Sequence, residues 1–244
     1  MDDLRQHAFD HRIRFDECWS GGLLRAGGYL RLMQDLAWRH SELLGLGRDW
    51  YRTYRLAWLV RYADLRITGP AYSGDTLRVT TRVVGWRRVW ARRESHASVD
   101  GVEVARATID WVLIDEAGRP ARIPDDVAAR FTDGVPGFQP ARLALPQDLS
   151  DAVNRAWSVS IRDLDPMHHV NNATYLDVID ETVAAETGAH SGPEPPIRYQ
   201  VEYLRPALPR VTVSVVHAPD EVGTAIRFLD PEGQELVRAR LTLG

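Results

Sequence analysis

Asp163-Leu164-Asp165-Pro166-Met167-His168-His169-Val170-Asn171-Asn172-Ala173-Thr174-Tyr175-Leu176 passes from a polar run into a helix. Beyond it Tyr175, Leu176, Ile179 and Val183 recur at three- and four-residue steps, the spacing of one helical stripe, which predicts a helix over 173–186. A strand-like run at 157–161 precedes this helix. Four more follow it, at about 197–204, 211–217, 224–229 and 236–243. The pattern is strand, polar loop, helix, then strands.

The same order occurs earlier in the chain. A short strand-like run at 12–15 leads into a long helical pattern carried by Leu23, Leu24, Leu30, Met33, Leu36 and Ala37 and ending near Gly45. Strand-like runs follow at 57–67, 76–84, 89–98 and 102–114. Asp100-Gly101 separates the last two, a dipeptide that accepts the positive φ angles of a tight hairpin turn. Tyr175-Leu176 lies 146 residues after Tyr29-Leu30, and Pro206-Ala207 lies 136 after Pro70-Ala71. The ten-residue difference falls in the helix-to-strand loop, where insertions cost little. Between the copies, 119–154 carries Pro120, Pro124, Pro136, Pro140 and Pro146 and reads as a surface-crossing linker. The expected division is therefore 1–118, a linker at 119–154, and 155–244, in an α+β fold with each helix packed on a curved antiparallel sheet.

Composition narrows the function. The 244 residues suit one large domain or two small ones, at about 150 residues per domain. Apolar residues make up 44% and charged residues 26%, an ordinary globular balance. No apolar run approaches the ~18 residues of a membrane span, so membrane insertion is not expected. The opening Met1-Asp2-Asp3-Leu4-Arg5-Gln6-His7 lacks the apolar stretch of a signal peptide, and the single Cys18 has no partner for an internal disulfide. Together these predict a cytoplasmic protein. All 30 basic residues are arginine, which excludes P-loop, Schiff-base and pyridoxal-phosphate lysines. A net charge of −4 argues against general nucleic-acid binding.

The segment from Asp163 to Leu176 resembles the signature that enters the central helix of hotdog-fold thioesterases. Two hotdogs in tandem, with that signature only in the second, resemble the layout of acyl-acyl-carrier-protein thioesterases of plants and bacteria. Trp58-Leu59-Val60-Arg61, Trp86-Arg87-Arg88, Arg92-Arg93-Glu94 and the run from Ala107 to Asp115, continued by Arg119 to Val127, add to the likeness, which spans roughly residues 8–243. The plant enzymes are similar at Asp165 and His169. They have asparagine where this chain has Met167, and glutamate then cysteine where it has Pro206 and Ala207. The resemblance implies two tandem hotdogs, each a long central helix wrapped by an antiparallel sheet. It also implies hydrolysis of a fatty or related acyl thioester, with acyl carrier protein or acyl-coenzyme A as substrate and no metal or organic cofactor.

Thioester hydrolysis needs an activated water, a place for negative charge on the carbonyl oxygen, and a route for the thiolate to leave. The helix N-terminus supplies unpaired N–H groups and a positive dipole end, here the backbone of Asn172 and Ala173. Asp165 would position or activate water, with His169 and Asn171 binding the reacting groups. Glu181 is a weaker candidate for a second carboxylate. The competing readings are that Asp165 and Asn172 merely cap the helix, and that His168 and His169 form a metal pair. The second is disfavoured because adjacent residues in an extended chain point opposite ways.

At the 146-residue offset Asp165 corresponds to Trp19 and His169 to Leu23, so the first copy lacks this chemistry. It is expected to help form an acyl pocket, with Leu23, Leu24, Leu30 and Met33 as lining or as ordinary core. Arg88 and Arg92, beside Trp86 and Trp90, are candidates for docking an acidic carrier, against a solvated sheet face. Cys18 reads as a small buried hydrophobe. Two hotdogs in one chain supply the pairing that single hotdogs usually find in a dimer, so a monomer or a homodimer is expected. The alternative from another class is a non-hydrolytic acyl-thioester-binding protein, motivated by Met167 and Pro206. A tandem-hotdog dehydratase is a weaker one.

Overall fold

The computed structural model describes residues 5–130, 135–136, 138–149, 152–188 and 191–244. Strand β1 (Gln6–Arg12) leads through a 3₁₀ turn at Phe15–Glu17 to helix α1 (Ala26–Leu43). A short helix α2 (Arg48–Tyr54) precedes strands β2 (Leu56–Ile67), β3 (Thr76–Arg87), β4 (Trp90–Val99) and β5 (Val102–Asp115). A connecting stretch holds α3 (Asp125–Ala128) and the two-residue β6 (Val135–Pro136), which pairs parallel with β3. The plan then recurs. Strand β7 (Val153–Ser158), a 3₁₀ turn at Ile161–Asp163 and helix α4 (Thr174–Thr187) are followed by β8 (Ile197–Tyr203), β9 (Thr212–Pro219), β10 (Thr224–Leu229) and β11 (Glu235–Leu243).

Ten strands form one antiparallel path, β1-β3-β4-β5-β2-β8-β11-β10-β9-β7. The order reads the same from either end once each strand is replaced by its counterpart, so the two halves meet at the β2–β8 seam. There Tyr62 faces Glu202, Asp64 faces Gln200 and Ile67 faces Ile197. Arg198 grips Asp64 across the seam with nitrogen–oxygen distances of 2.9 and 2.6 Å, and Gln200 donates to the Tyr62 hydroxyl at 2.8 Å. The sheet is continuous through the join.

Alternation of burial explains the strands. In β4 buried Ala91, Arg93, Ser95 and Ala97 alternate with partly exposed neighbours, the period of a half-covered sheet. Asp100 and Gly101, at φ 50° and 81°, make the hairpin turn that the dipeptide predicts. On α1 the stripe Tyr29, Leu30, Met33, Leu36 and Ala37 is buried against the sheet. Each fully buried Leu or Met there contributes about 1.5–3 kcal/mol of transfer free energy. On α4, Tyr175 meets Trp157, Tyr203 and Phe228 edge-on, with ring centroids 5.0–5.8 Å away.

The first strand lies earlier than expected: β1 covers Gln6–Arg12, and Phe15 sits in the 3₁₀ turn instead. Helices α2 and α3 occupy stretches that sequence periodicity leaves unassigned. α2 is short, packs Trp50 and Tyr51 into a small second core, and ends on Arg55 at φ 54°. The stretch after β5 is tied to the sheet by buried acids. Asp110, fully buried, holds Arg92 at 2.6 and 2.8 Å and accepts from the Ala141 N–H at 2.8 Å. Buried Glu202 accepts from Arg142 at 2.8 Å and from the Leu143 N–H at 3.0 Å. No helix is long and apolar enough to cross a membrane among the described residues.

Candidate active site

The polar loop at 159–173 has a backbone twin at 13–27. The Ile13 N–H donates to Asp75 C=O at 2.9 Å, and the Val159 N–H to Val211 C=O at 3.0 Å. The Trp19 N–H reaches Leu23 C=O at 2.8 Å, as the Asp165 N–H reaches His169 C=O at 2.8 Å. The Leu24 N–H donates to Ala71 C=O at 2.9 Å, and the Val170 N–H to Ala207 C=O at 3.3 Å. Isolated bridges Cys18–Leu24 and Leu164–Val170 complete the match. Even the left-handed positions coincide: Gly22 (φ 83°) stands where the second loop has His168 (φ 63°). One main-chain scaffold therefore carries two sets of side chains.

In the second loop Asp165 is half-buried, and its Oδ1 accepts from the Met167 N–H at 2.8 Å and more weakly from the His169 N–H at 3.4 Å. That oxygen shapes the loop; Oδ2 has no hydrogen-bond partner among the described residues. His169 is half-buried, whereas His168 and Met167 are exposed. No group of three or more histidine, cysteine or acidic side chains that could hold a metal occurs among the described residues.

Asn171 closes a turn just ahead of α4, whose N-cap position is Ala173 and carries no side-chain cap. The Asn171 Oδ1 accepts from the Ala173 N–H at 2.9 Å and its C=O from the Thr174 N–H at 2.9 Å. Neither Asp165 nor Asn172 makes a side-chain cap on α4. The Ala173 N–H, expected to hold an oxyanion, is already given to Asn171. The Asn172 N–H has no partner among the described residues.

Two side chains outside the loop position Asn172, and sequence reasoning passed over both. Gln34 of α1 accepts from Asn172 Nδ2 at 3.1 Å, and the Tyr203 hydroxyl donates to Asn172 C=O at 2.9 Å. The first half thereby reaches into the loop of the second. Gln34 sits on a partly exposed face of an apolar helix, and only the packing of α1 against α4 reveals its target.

The twin site is built oppositely. A cavity with a volume of about 10 Å³, room for about one water, is lined by Trp19, Leu23, Leu24, Ala26, Asp180 and Tyr199, among others. Asp180 of α4 is buried, and the Tyr199 hydroxyl donates to its Oδ1 at 2.5 Å. Its Oδ2 makes no hydrogen bond of normal geometry among the described residues. Burial pushes the Asp180 carboxyl up to about 7, with Asp177 adding to the rise and Tyr199, the Ala26 N–H and Arg25 opposing it. Gln34 and Asp180 lie 146 residues apart and occupy equivalent positions on their helices. A single exposed Glu181 follows Asp180, and it is the buried neighbour that has an unusual environment.

The remaining candidates are placed as follows. Leu23 and Leu24 line the twin cavity, while Leu30 and Met33 are wholly buried in the main core. Arg92 pairs with Asp110 and lies over the Phe138 ring at 4.6 Å. Arg88 is exposed in the β3–β4 turn at φ 52°. Cys18 is buried, with its thiol pushed up mainly by desolvation, as expected of a small core residue.

Residues 6–131 match the family model of the acyl-ACP thioesterase N-terminal domain, and 147–234 that of the C-terminal domain. The chain is 29% identical over 173 residues to an acyl-[acyl-carrier-protein] hydrolase of Cuphea viscosissima, covering 63% of this chain and 41% of that one. It is 25% identical over 180 residues to an oleoyl-acyl carrier protein thioesterase of Arabidopsis thaliana, covering 64% and 48%. Both relatives are chloroplastic. Its fold is similar to that of a 12:0-ACP thioesterase from Umbellularia californica, with a TM-score of 0.79 at 19% identity over 99% of this chain and 98% of that one. An acyl-ACP thioesterase from Bacteroides thetaiotaomicron gives 0.78 at 14% over 99% of both. These neighbours bear out the α+β, tandem-hotdog expectation. The chain spans about half the length of the curated relatives it matches.

Proposed function

Because the chain belongs to the acyl-ACP thioesterase family, we propose that it hydrolyses the thioester joining an acyl chain to acyl carrier protein. The observation that carries this reading is the loop from Asp165 to Asn172, seated at the N-terminus of an 14-residue helix with the Asn172 N–H unclaimed among the described residues. That N–H and the positive end of α4 suit an oxyanion. Asp165 Oδ2 takes a proton as water adds to the acyl carbon, and His169 on the same loop binds the reacting groups. The C–S bond then breaks, and the proton returns to the departing sulfur. The products are a free acid and a thiol. Asn171 supports the site by fixing the turn that leads into α4 through the Ala173 N–H and is a positioning residue.

In this reading the halves at 1–118 and 155–244 divide the work, the first supplying apolar surface and the second the polar loop. Pairing of the halves through β2 and β8 within one chain is consistent with a monomer, and a homodimer of such chains is the other arrangement. The lone buried Cys18 is what supports a cytoplasmic setting.

The test is thiol release from medium- and long-chain acyl-carrier-protein thioesters, with acyl-coenzyme A and Asp165→Ala in parallel. Turnover lost in the variant supports the assignment, and preference for coenzyme A would move the carrier. A second reading has its own observation. Met167 is exposed and apolar, and exposed Pro206 beside the loop supplies no carboxylate. Acyl-thioester binding without thiol release would establish that reading instead.

A further inference from the structure

The duplicated loop provides an internal control for what surrounds the site. Both copies expose large apolar side chains at matched positions: Phe15 (88%) and Tyr72 (49%) in the first half, Ile161 (68%) and Leu208 (54%) in the second. Exposed Met167 joins the second set where the first has Gly21. The charges, however, differ. Where the first half has Asp16, Gly69 and Gly74, the second has Arg162, Arg205 and Arg210.

These correspondences rest on the backbone as well as on the sequence. The Thr68 and Gly69 N–H groups both donate to Val104 C=O, as those of Leu204 and Arg205 donate to Leu236 C=O. The Gly74 N–H donates to Ile13 C=O at 2.9 Å, as the Arg210 N–H donates to Val159 C=O at 3.3 Å. Gly74 has φ 95°, and Arg210 holds φ 63°, a left-handed conformation that glycine adopts without steric cost and arginine does not. The turn would form more easily with glycine, so arginine at 210 calls for a use of its side chain.

The three arginines flank the loop that holds Asp165 and His169. The Arg210 N–H pairs with Val159 beside Ile161 and Arg162, and Ala207 C=O accepts from the Val170 N–H beside Leu208. All three are exposed, and none has a carboxylate partner among the described residues. Of the nearby acids, Asp163 accepts from the Ser160 N–H at 2.7 Å and Asp165 Oδ1 from the Met167 N–H at 2.8 Å, and neither pairs with these arginines among the described residues.

We propose that Arg162, Arg205 and Arg210, with Ile161, Met167 and Leu208 between them, form the docking surface for the carrier. The occupant is an acidic protein that presents its acyl group on a phosphopantetheine arm. Guanidiniums pair in two-pronged fashion with carboxylate and phosphate, and the apolar residues between them supply desolvated contact. The proposal rests on the carrier-thioester reading of the same loop. It replaces Arg88 and Arg92 as the docking residues.

Two measurements separate this surface from the function it serves. The first is the affinity of wild type and of an Arg162→Gln, Arg205→Gln, Arg210→Gly triple variant for a labelled acyl carrier protein whose acyl group is joined by a non-hydrolysable amide. The second is turnover of acyl-carrier-protein and acyl-pantetheine thioesters by both proteins. Arg210→Gly keeps the turn that Gly74 makes in the twin loop. The expected result is at least about tenfold weaker carrier binding and lower kcat/KM on the carrier substrate. Acyl-pantetheine turnover should stay within about twofold, and the salt dependence of carrier binding should flatten. Unchanged carrier affinity in the variant, equal losses on both substrates, or no carrier binding by wild type would overturn the docking surface. Arginine-dependent carrier binding with no turnover of either thioester would instead overturn the hydrolytic reading and leave the surface standing.

Discussion

The Tyr199 hydroxyl lies 2.5 Å from Asp180 Oδ1, both residues buried, in a site lined also by Ala26 at the start of α1. Burial raises this acid from 3.8 to about 7. Between those values the folded protein holds a proton that the unfolded chain has released, so stability falls as pH rises through the window. Below about 4 the group contributes nothing, and above about 7 its full penalty is present, on the order of 4 kcal/mol at 1.36 kcal/mol per unit. Asp180→Asn should therefore melt higher than wild type at pH 8, with the gap closing toward pH 4. Thermal denaturation of both proteins across that range checks it. A gap that does not change with pH would show that Asp180 is not protonated in the native state at mid-range pH.

Asp165 has a structural duty and a proposed chemical one on different oxygens. Asp165→Asn keeps an Oδ1 acceptor for the Met167 and His169 N–H groups but loses the base. It should fold with a stability within about 1 kcal/mol of wild type and lose about 10²–10⁴ in kcat. Asp165→Ala should lose both. Melting curves beside steady-state rates separate the two effects, and an active Asp165→Asn would remove Asp165 from the chemistry.

Gln34 belongs to the first half but holds Asn172 of the second at 3.1 Å. Gln34→Ala should lower kcat about three- to tenfold while costing about 0.5–1.5 kcal/mol of stability, the worth of one ordinary hydrogen bond. Gln34→Glu still offers an acceptor to Asn172 Nδ2 and should recover most of the loss. Rates for the two variants decide whether Asn172 needs this support.

Asp110 is fully buried and anchors both Arg92 and the Ala141 N–H. Asp110→Ala strands a guanidinium that is three-quarters buried and frees the strap at 138–143. The expected cost is about 2–4 kcal/mol, somewhat below that of breaking a wholly buried pair because Arg92 retains some water. Chemical denaturation measures the cost. Faster proteolysis within the strap would locate it.

Much of the architecture was legible because the chain states it twice. The strands from β2 to β5 and from β8 to β11 carry alternating patterns and clear turn residues, and their predicted bounds fall close to those observed. The β1 boundary differs from expectation because Phe15 reads as a strand residue, although it is exposed in a 3₁₀ turn. Helix α2 was missed because its seven residues complete barely two turns, and its aromatic side chains are held by tertiary packing. In the site, the loop residues were visible as a string. Their division of labour was not, because the Asn171 turn that takes up the Ala173 N–H depends on local dihedral angles. Gln34, Asp180 and Tyr203 stayed hidden for another reason. Their partners lie 138, 19 and 31 residues away, and no local pattern announces such contacts.

The seam between β2 and β8 has a consequence for how such a molecule diverges. Either half alone would present that strand as a bare edge, a template for pairing with another copy. A symmetric pair of separate chains would be bound to carry the same residue in both loops, since one gene would specify each. Joining the halves makes their association unimolecular, at a high effective concentration. It also lets position 19 be tryptophan while position 165 is aspartate. Covalent linkage thus frees each loop to mutate independently, and the asymmetry of this chain, one polar loop and one apolar, is a form of specialisation that a homodimer could not encode.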